Sequence, residues 1–166
     1  MRNMKYVIAM SALVMALCAT AASAKADFSG TWILDKNNSE GLPPGMDQSM
    51  TVVHTGDKLL LETKLITSEG ERVVSDMYML DGKEAEFTPK APNGQAGKGK
   101  RTAKWAADGN GIEVNETSTF DGPEGAVNVQ MTRKWILSAD GKTLKIEIAA
   151  ESPNGKQLIK RTFIKK

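Results

Sequence analysis

The feature that most constrains this chain is the rhythm of its turn signals. Gly56-Asp57-Lys58, Ser68-Glu69-Gly70 and Asp81-Gly82-Lys83 recur in the first half, and ADGNG, DGPEGA, ADGK and ESPNGK in the second. Each sets Gly beside Asp, Asn, Ser or Glu, the chemistry of tight hairpin turns. Between them lie runs rich in Val, Ile, Thr, Leu and Met. The rhythm predicts strands near residues 28–34, 50–54, 59–67, 72–80, 85–88, 100–106, 112–120, 127–138, 144–149 and 157–165. No stretch carries the period of an amphipathic helix. The expected fold is therefore all-β: an antiparallel up-and-down meander of about ten strands, closed into a barrel because closure removes exposed edges.

Two segments interrupt the rhythm. Residues 35–47 (DKNNSEGLPPGMD) hold two glycines and two prolines and read as a loop. Residues 89–100 (PKAPNGQAGKGK) hold two prolines, three glycines and three lysines. They read as a solvated, mobile hairpin loop or, more sharply, as a cationic flap over a cavity mouth.

Residues 1–24 read as an export leader. Arg2 and Lys5 give the charged start, residues 7–17 the apolar stretch, and Ala22-Ser23-Ala24 the cleavage site. The apolar stretch is too short for a membrane span. Cys18 follows Leu17, a bulky residue that disfavours lipidation. Arg2 and Lys5 account for the excess of 22 basic over 20 acidic residues, so the chain from residue 25 onward is neutral. That balance gives no footprint for a nucleic-acid partner. Cys18 is the one cysteine and leaves with the leader, so residues 25–166 form a single β-barrel domain without thiol or disulfide. This style of export fits a bacterial periplasmic or secreted protein.

Strand alternation identifies the residues that do not belong to an ordinary core. Val127, Val129, Met131, Arg133, Trp135 and Leu137 share one face and point inward. Arg133 is thus an arginine on an apolar face, as is Arg101 beside Ala103 and Trp105, and Arg161 between Ile159 and Phe163. Glu116 breaks the apolar face of residues 112–120 in the same way. Counting back from the turns sets Arg101 opposite Glu116, Glu116 beside Met131 and diagonal to Arg133, and Trp135, Ile146 and Arg161 in one row. A one-residue slip would move every one of them to the other face. A buried charge needs a partner. Arg101, Glu116 and Arg133 therefore form either a self-satisfied network or a site whose spare guanidinium holds a ligand carboxylate or phosphate. Glu62, Asp76, Glu113 and Glu147 read as isolated residues on solvated faces. His54 is the single histidine, so neither a transition-metal site nor any other cofactor is expected. No nucleophile, phosphate loop or paired-carboxylate motif is visible, and the chain does not read as an enzyme.

Phe28-Ser29-Gly30-Thr31-Trp32 resembles the first strand of the calycin superfamily, which includes lipocalins, fatty-acid-binding proteins and avidins. Residues 160–165 (KRTFIK) look like the last strand of fatty-acid-binding proteins, with Phe163 standing where those carry a ligand-binding tyrosine. The opening is also similar to that of small exported bacterial proteins of unknown function. The resemblance departs at residues 35–47, too short for a two-helix portal, and lacks the lipocalin cysteines. It implies a barrel closed at Gly30 and Trp32, with Arg161 lying across Trp32 as a closure device. It further implies a small hydrophobic or amphipathic, acidic ligand. Its head would meet Arg101 or Arg133, and its tail Met77, Met79, Trp105, Met131 and Trp135. The alternative is a structural or protease-inhibitor-like module with a filled interior, acting through the N-terminal Lys25-Ala26-Asp27.

Overall fold

The computed structural model describes residues 25–91, 93–123 and 125–166. The leader assigned to residues 1–24, with Cys18, lies outside them. Ten strands follow one another: β1 (Gly30–Leu34), β2 (Asp47–Thr55), β3 (Lys58–Thr67), β4 (Gly70–Met79), β5 (Ala85–Phe87), β6 (Lys98–Trp105), β7 (Gly111–Gly122), β8 (Gly125–Leu137), β9 (Thr143–Ser152) and β10 (Gly155–Lys165). Among the described residues the only helical piece is a 3-10 turn, Lys36–Asn38, whose N–H groups are capped by the Asp35 carboxylate.

All ten strands form one antiparallel sheet in the order β4-β3-β2-β1-β10-β9-β8-β7-β6-β5. The first and last strands thus meet in its middle, through Trp32–Lys165, Ile33–Ile164 and Leu34–Phe163. The sheet curls until its two ends approach. Just past the end of β4 the chain makes one backbone bridge to β6, Asp81–Lys104, with the Gly82 N–H donating to Ala103 at 2.9 Å. Above that corner β4 and β5 part. The ring is closed in sequence and open at one seam.

The inward faces of one half of the curl are packed solid. Phe28, Trp32, Val52, Leu59, Ile112, Val114, Leu144 and Phe163 are essentially inaccessible. The segment before β1 plugs this end. The Phe28 ring lies 6.1 Å from Trp105 and 6.0 Å from Trp135, and its carbonyl accepts the Trp32 indole N–H at 2.9 Å. The Ala26 N–H donates to Gly109 at 3.0 Å, and Lys25 pairs with Asp57 at 2.8 Å. In the other half the inward residues Leu65, Phe120, Val127, Val129 and Ile159 are only half-buried. The sheet there is an open apolar cup.

On the outside, one row of the register alternates in sign across the sheet. Asp81 faces Lys104, Lys104 Glu113, Glu113 Lys134, Lys134 Glu147, Glu147 Lys160, and Lys160 Glu40. Every member has an opposite charge on each side that is occupied within the row, which favours this register over its neighbours.

The hairpin at residues 89–97 is held as well. Gln95 Nε2 donates to the Asp121 carbonyl at 2.8 Å, and the Gly97 N–H to Pro89 at 2.9 Å. The sequence suggested a mobile loop. These bonds tie it to the rim at the β7–β8 turn.

Candidate functional site

Between the packed half and the open half runs a layer of inward-facing polar side chains. β6 brings Arg101, β7 Glu116 and β8 Arg133 through the register expected from the turns: Arg101 opposite Glu116, and Glu116 opposite Met131. Glu116 takes both cations, Arg101 Nε at 3.5 Å from Oε1 and Arg133 Nη1 on Oε2. The row Trp135, Ile146, Arg161 also forms as expected.

Asp76 corrects the sequence reading. It faces inward from β4, where Arg101 Nη1 donates to its Oδ1 at 3.1 Å and reaches the Met77 carbonyl at 3.5 Å. Its neighbours Val74 and Tyr78 also point inward, a signal that strand alternation already held. Arg101 therefore spans the seam. Its guanidinium carbon lies 3.7 Å from the Phe87 ring centroid and 5.1 Å from that of Tyr78. Phe87 in turn lies flat over Gly99, its partner across β5 and β6, where a Cβ would collide with the ring. Burial pushes the Tyr78 hydroxyl up to about 12, so at neutral pH it is a neutral donor.

Arg161 corrects it further. The cation over Trp32 is Lys165, 5.3 Å from the ring, and not Arg161. The register explains this, because Lys165 is the residue paired with Trp32. Gly30, at φ +135°, leaves room for it: a Cβ there would sit 2.6 Å from Lys165 Cε. Arg161 is turned the other way and crosses beneath β1 to donate from Nη1 to Gln48 Oε1 of β2 at 2.9 Å. Its partner is neutral, and its Nε finds no acceptor among the described residues. Burial, with the nearby Arg133 charge adding, lowers its pKa to about 10. The layer thus holds three guanidinium groups against two carboxylates. The spare cation is Arg161, not Arg101 or Arg133.

The other sites expected for the ligand tail separate. Met131 is half-buried beside Glu116, at the boundary of the cup. Trp135 is buried below the layer, under Phe28. Trp105 belongs to the N-terminal plug: its indole N–H donates to Asp57 at 3.0 Å and Lys25 lies 4.8 Å over its ring. Met77 and Met79 face outward, at 49% and 42% exposure. Alternation with the inward Tyr78 accounts for that. The apolar walls above the layer are instead Leu65, Phe120, Val127, Val129 and Ile159.

No protein-family profile matches the chain, and no curated protein sequence matches it. Solved structures do. Zebrafish ileal bile acid-binding protein complexed with cholic acid superposes with a TM-score of 0.51 at 17% identity, over 84% of this chain and 98% of that one. Secretory abundant heat soluble protein 4 from Ramazzottius varieornatus gives 0.48 at 14% identity, over 84% and 94%. Identity this low speaks to the fold alone. At that level the chain, a ten-stranded antiparallel meander, shares the fold of the zebrafish protein.

Proposed function

We propose that this chain is an exported binding protein, not an enzyme, whose ligand is a small amphipathic acid. The observation that carries the reading is the excess positive charge of the buried layer, located on Arg161. A guanidinium drawn partly out of water, its Nε buried without an acceptor and its partner an amide, is a standing cost. A carboxylate can supply the missing acceptor at Nε, together with Nη2, in one side-on fork while Nη1 stays on Gln48. The half-open apolar cup next to it suits a hydrocarbon or ring system, so the acid head and apolar body face the two parts of the site. The cholic acid held by the zebrafish protein is such a molecule, on a related fold. Export rests on the leader read in the sequence and is checked by fractionating cells and sequencing the N-terminus.

Isothermal titration and tryptophan fluorescence with cholate, a long-chain fatty acid and the uncharged alcohol of that acid test the ligand class. Saturable one-to-one binding of an acid, at least tenfold tighter than the alcohol and lost in Arg161→Gln, is the expected result. Equal affinity for acid and alcohol, or binding unchanged in the variant, would overturn it. The rival reading, inhibition of a protease through the N-terminus, meets a specific obstacle. Phe28 is fully buried and Ala26 is hydrogen-bonded to Gly109, so the segment is docked on its own core.

A further inference from the structure

The seam leaves β4 with one side unpaired. Its hairpin with β3 turns in two residues, Thr67 facing Gly70 across the closing pair. Hydrogen-bonded and non-bonded pairs alternate from there, so the even-numbered residues of β4 bond to β3. The odd ones, from Glu71 to Met79, turn their N–H and C=O groups to the seam. Two contacts agree with this parity: Leu80 N–H donates towards β3, to Asp57, and the Met77 carbonyl accepts Arg101 from the seam.

Natural sheets guard such an edge with charge, proline or a bulge. This one carries Glu71, Val73, Ser75, Met77 and Met79 at its free positions. The single charge, Glu71, is at the turn end and paired to Lys64 of β3 at 2.9 Å, while Val73 is 57% and Met77 49% exposed. The outward row continues inland without interruption, Met77 facing Leu60 and Leu60 facing Val53. A groove of about 290 Å³ lies between this edge and β5. The hairpin beyond β5 is drawn to the β7–β8 turn by Gln95 and does not pair with β4.

We propose that this edge docks a second copy of the chain, the two β4 strands pairing antiparallel about a two-fold axis at Val74. Pairing needs odd residues opposite odd ones, and several registers satisfy that. The one centred on Val74 also satisfies charge. It sets Arg72, exposed and without an ion-pair partner among the described residues, opposite Asp76 of the second copy. The axis makes that pair twice. Asp76 keeps about a third of its side chain exposed although it holds Arg101, so it has room for a second cation. Shifting the axis to Ser75 sets Arg72 against Tyr78 and loses both pairs. In the favoured register Val73 and Ser75 face each other and Glu71 meets Met77, so no like charges oppose. The Asp81–Lys104 bridge and the hold of Arg101 on the Met77 carbonyl confine the docked stretch to the residues from 71 to 77, with Val73 and Ser75 as its wholly free positions. The ligand reading is not needed for any of this.

Sedimentation equilibrium of the purified chain, from low to high micromolar concentration, is the test. Two variants accompany it. Ser75→Pro removes an N–H that lies on the free edge and serves no bond within the fold, a position where an edge strand tolerates proline. Arg72→Glu turns both ion pairs into repulsions. The wild type is expected to dimerise reversibly, more weakly at high salt. Arg72→Glu should raise the dissociation constant about tenfold or more, and Ser75→Pro should be monomeric, both with unchanged circular dichroism. A wild type that stays monomeric up to its solubility limit overturns the proposal, as does a dimer that both folded variants leave intact.

Discussion

At the scale of single residues the polar layer makes opposite demands on its members. Arg101 and Arg133 are neutralised by Asp76 and Glu116, and removing a partner strands a buried charge. Asp76→Asn leaves Arg101 with Glu116 alone. A loss of about 1–3 kcal/mol is expected in urea unfolding, below the fully buried case because Asp76 is partly exposed. Arg161 should behave in the opposite sense. Its folded pKa, about 10, lies below the ordinary 12.5. The folded state therefore holds that proton less tightly, and the charge opposes folding at every pH below that window. Arg161→Gln is thus expected to leave the apo protein as stable as wild type or stabilise it. The same change should abolish the thermal stabilisation that a bound amphipathic acid gives. The carboxylates of the N-terminal plug work the other way. Asp27 and Asp57 are held below the ordinary 3.8, Asp27 chiefly by the Ser29 N–H and Asp57 by Lys25 and then Trp105. Their contribution is fully present above 3.8 and is lost as pH falls through their lowered values. Trp105 fluorescence should report the plug loosening in that acid range, and Asp57→Asn should remove most of the change. The arginines, Glu116 and their mutual register were legible in the sequence, because a charge on an apolar strand face stands out. Asp76 was missed although its alternation was equally clear, since a single acid in a mixed strand looks solvated until its partner across a seam is known.

At the scale of strands, turn spacing alone set every pairing between consecutive strands from β6 to β10. Five consecutive hairpin strands leave no freedom once each turn length is read. What the hairpins do not encode is the pairing of β1 with β10, nor which residue of β10 faces Trp32. That register is fixed by Leu34 against Phe163 in the core, and it delivers Lys165 rather than Arg161 to the tryptophan. The alternating outer row supports the register from outside. Lys134 sits between Glu113 and Glu147. Lys134→Glu would oppose like charges on both sides, with an expected cost of about 1 kcal/mol that shrinks at high salt. Lys134→Gln should cost less than half of that. Equal effects from the two changes, or no dependence on salt, would show that the row contributes by packing and not by charge.

At the scale of the whole molecule, the chain ends lie in the middle of the sheet and its edges lie mid-sequence. A meander of even strands suggested a barrel closed all round, and the sequence offered no sign of where a ring would fail. The physical reason is local. β5 has only three residues, and the Asp81-Gly82-Lys83 corner sends it along β6, filling the side of β6 that β4 would otherwise occupy. Above the corner, Arg101 is the main tie across the gap, held by Asp76 and the Met77 carbonyl and stacked on Phe87. Native-state hydrogen exchange should map this arrangement. Amides of β1, β9 and β10, each paired on both sides, should exchange most slowly. In the monomer, at protein concentrations too low for β4 to pair with a second copy, the odd-numbered amides of β4 should exchange fastest of those in long strands, since they face the seam. Arg101→Gln should accelerate the even-numbered amides of β4 and those of β3, which depend on the seam staying shut, while β9 and β10 keep their protection. Acceleration spread evenly over all ten strands would mean that the curl opens only by global unfolding, and that Arg101 stabilises the fold without gating its edge.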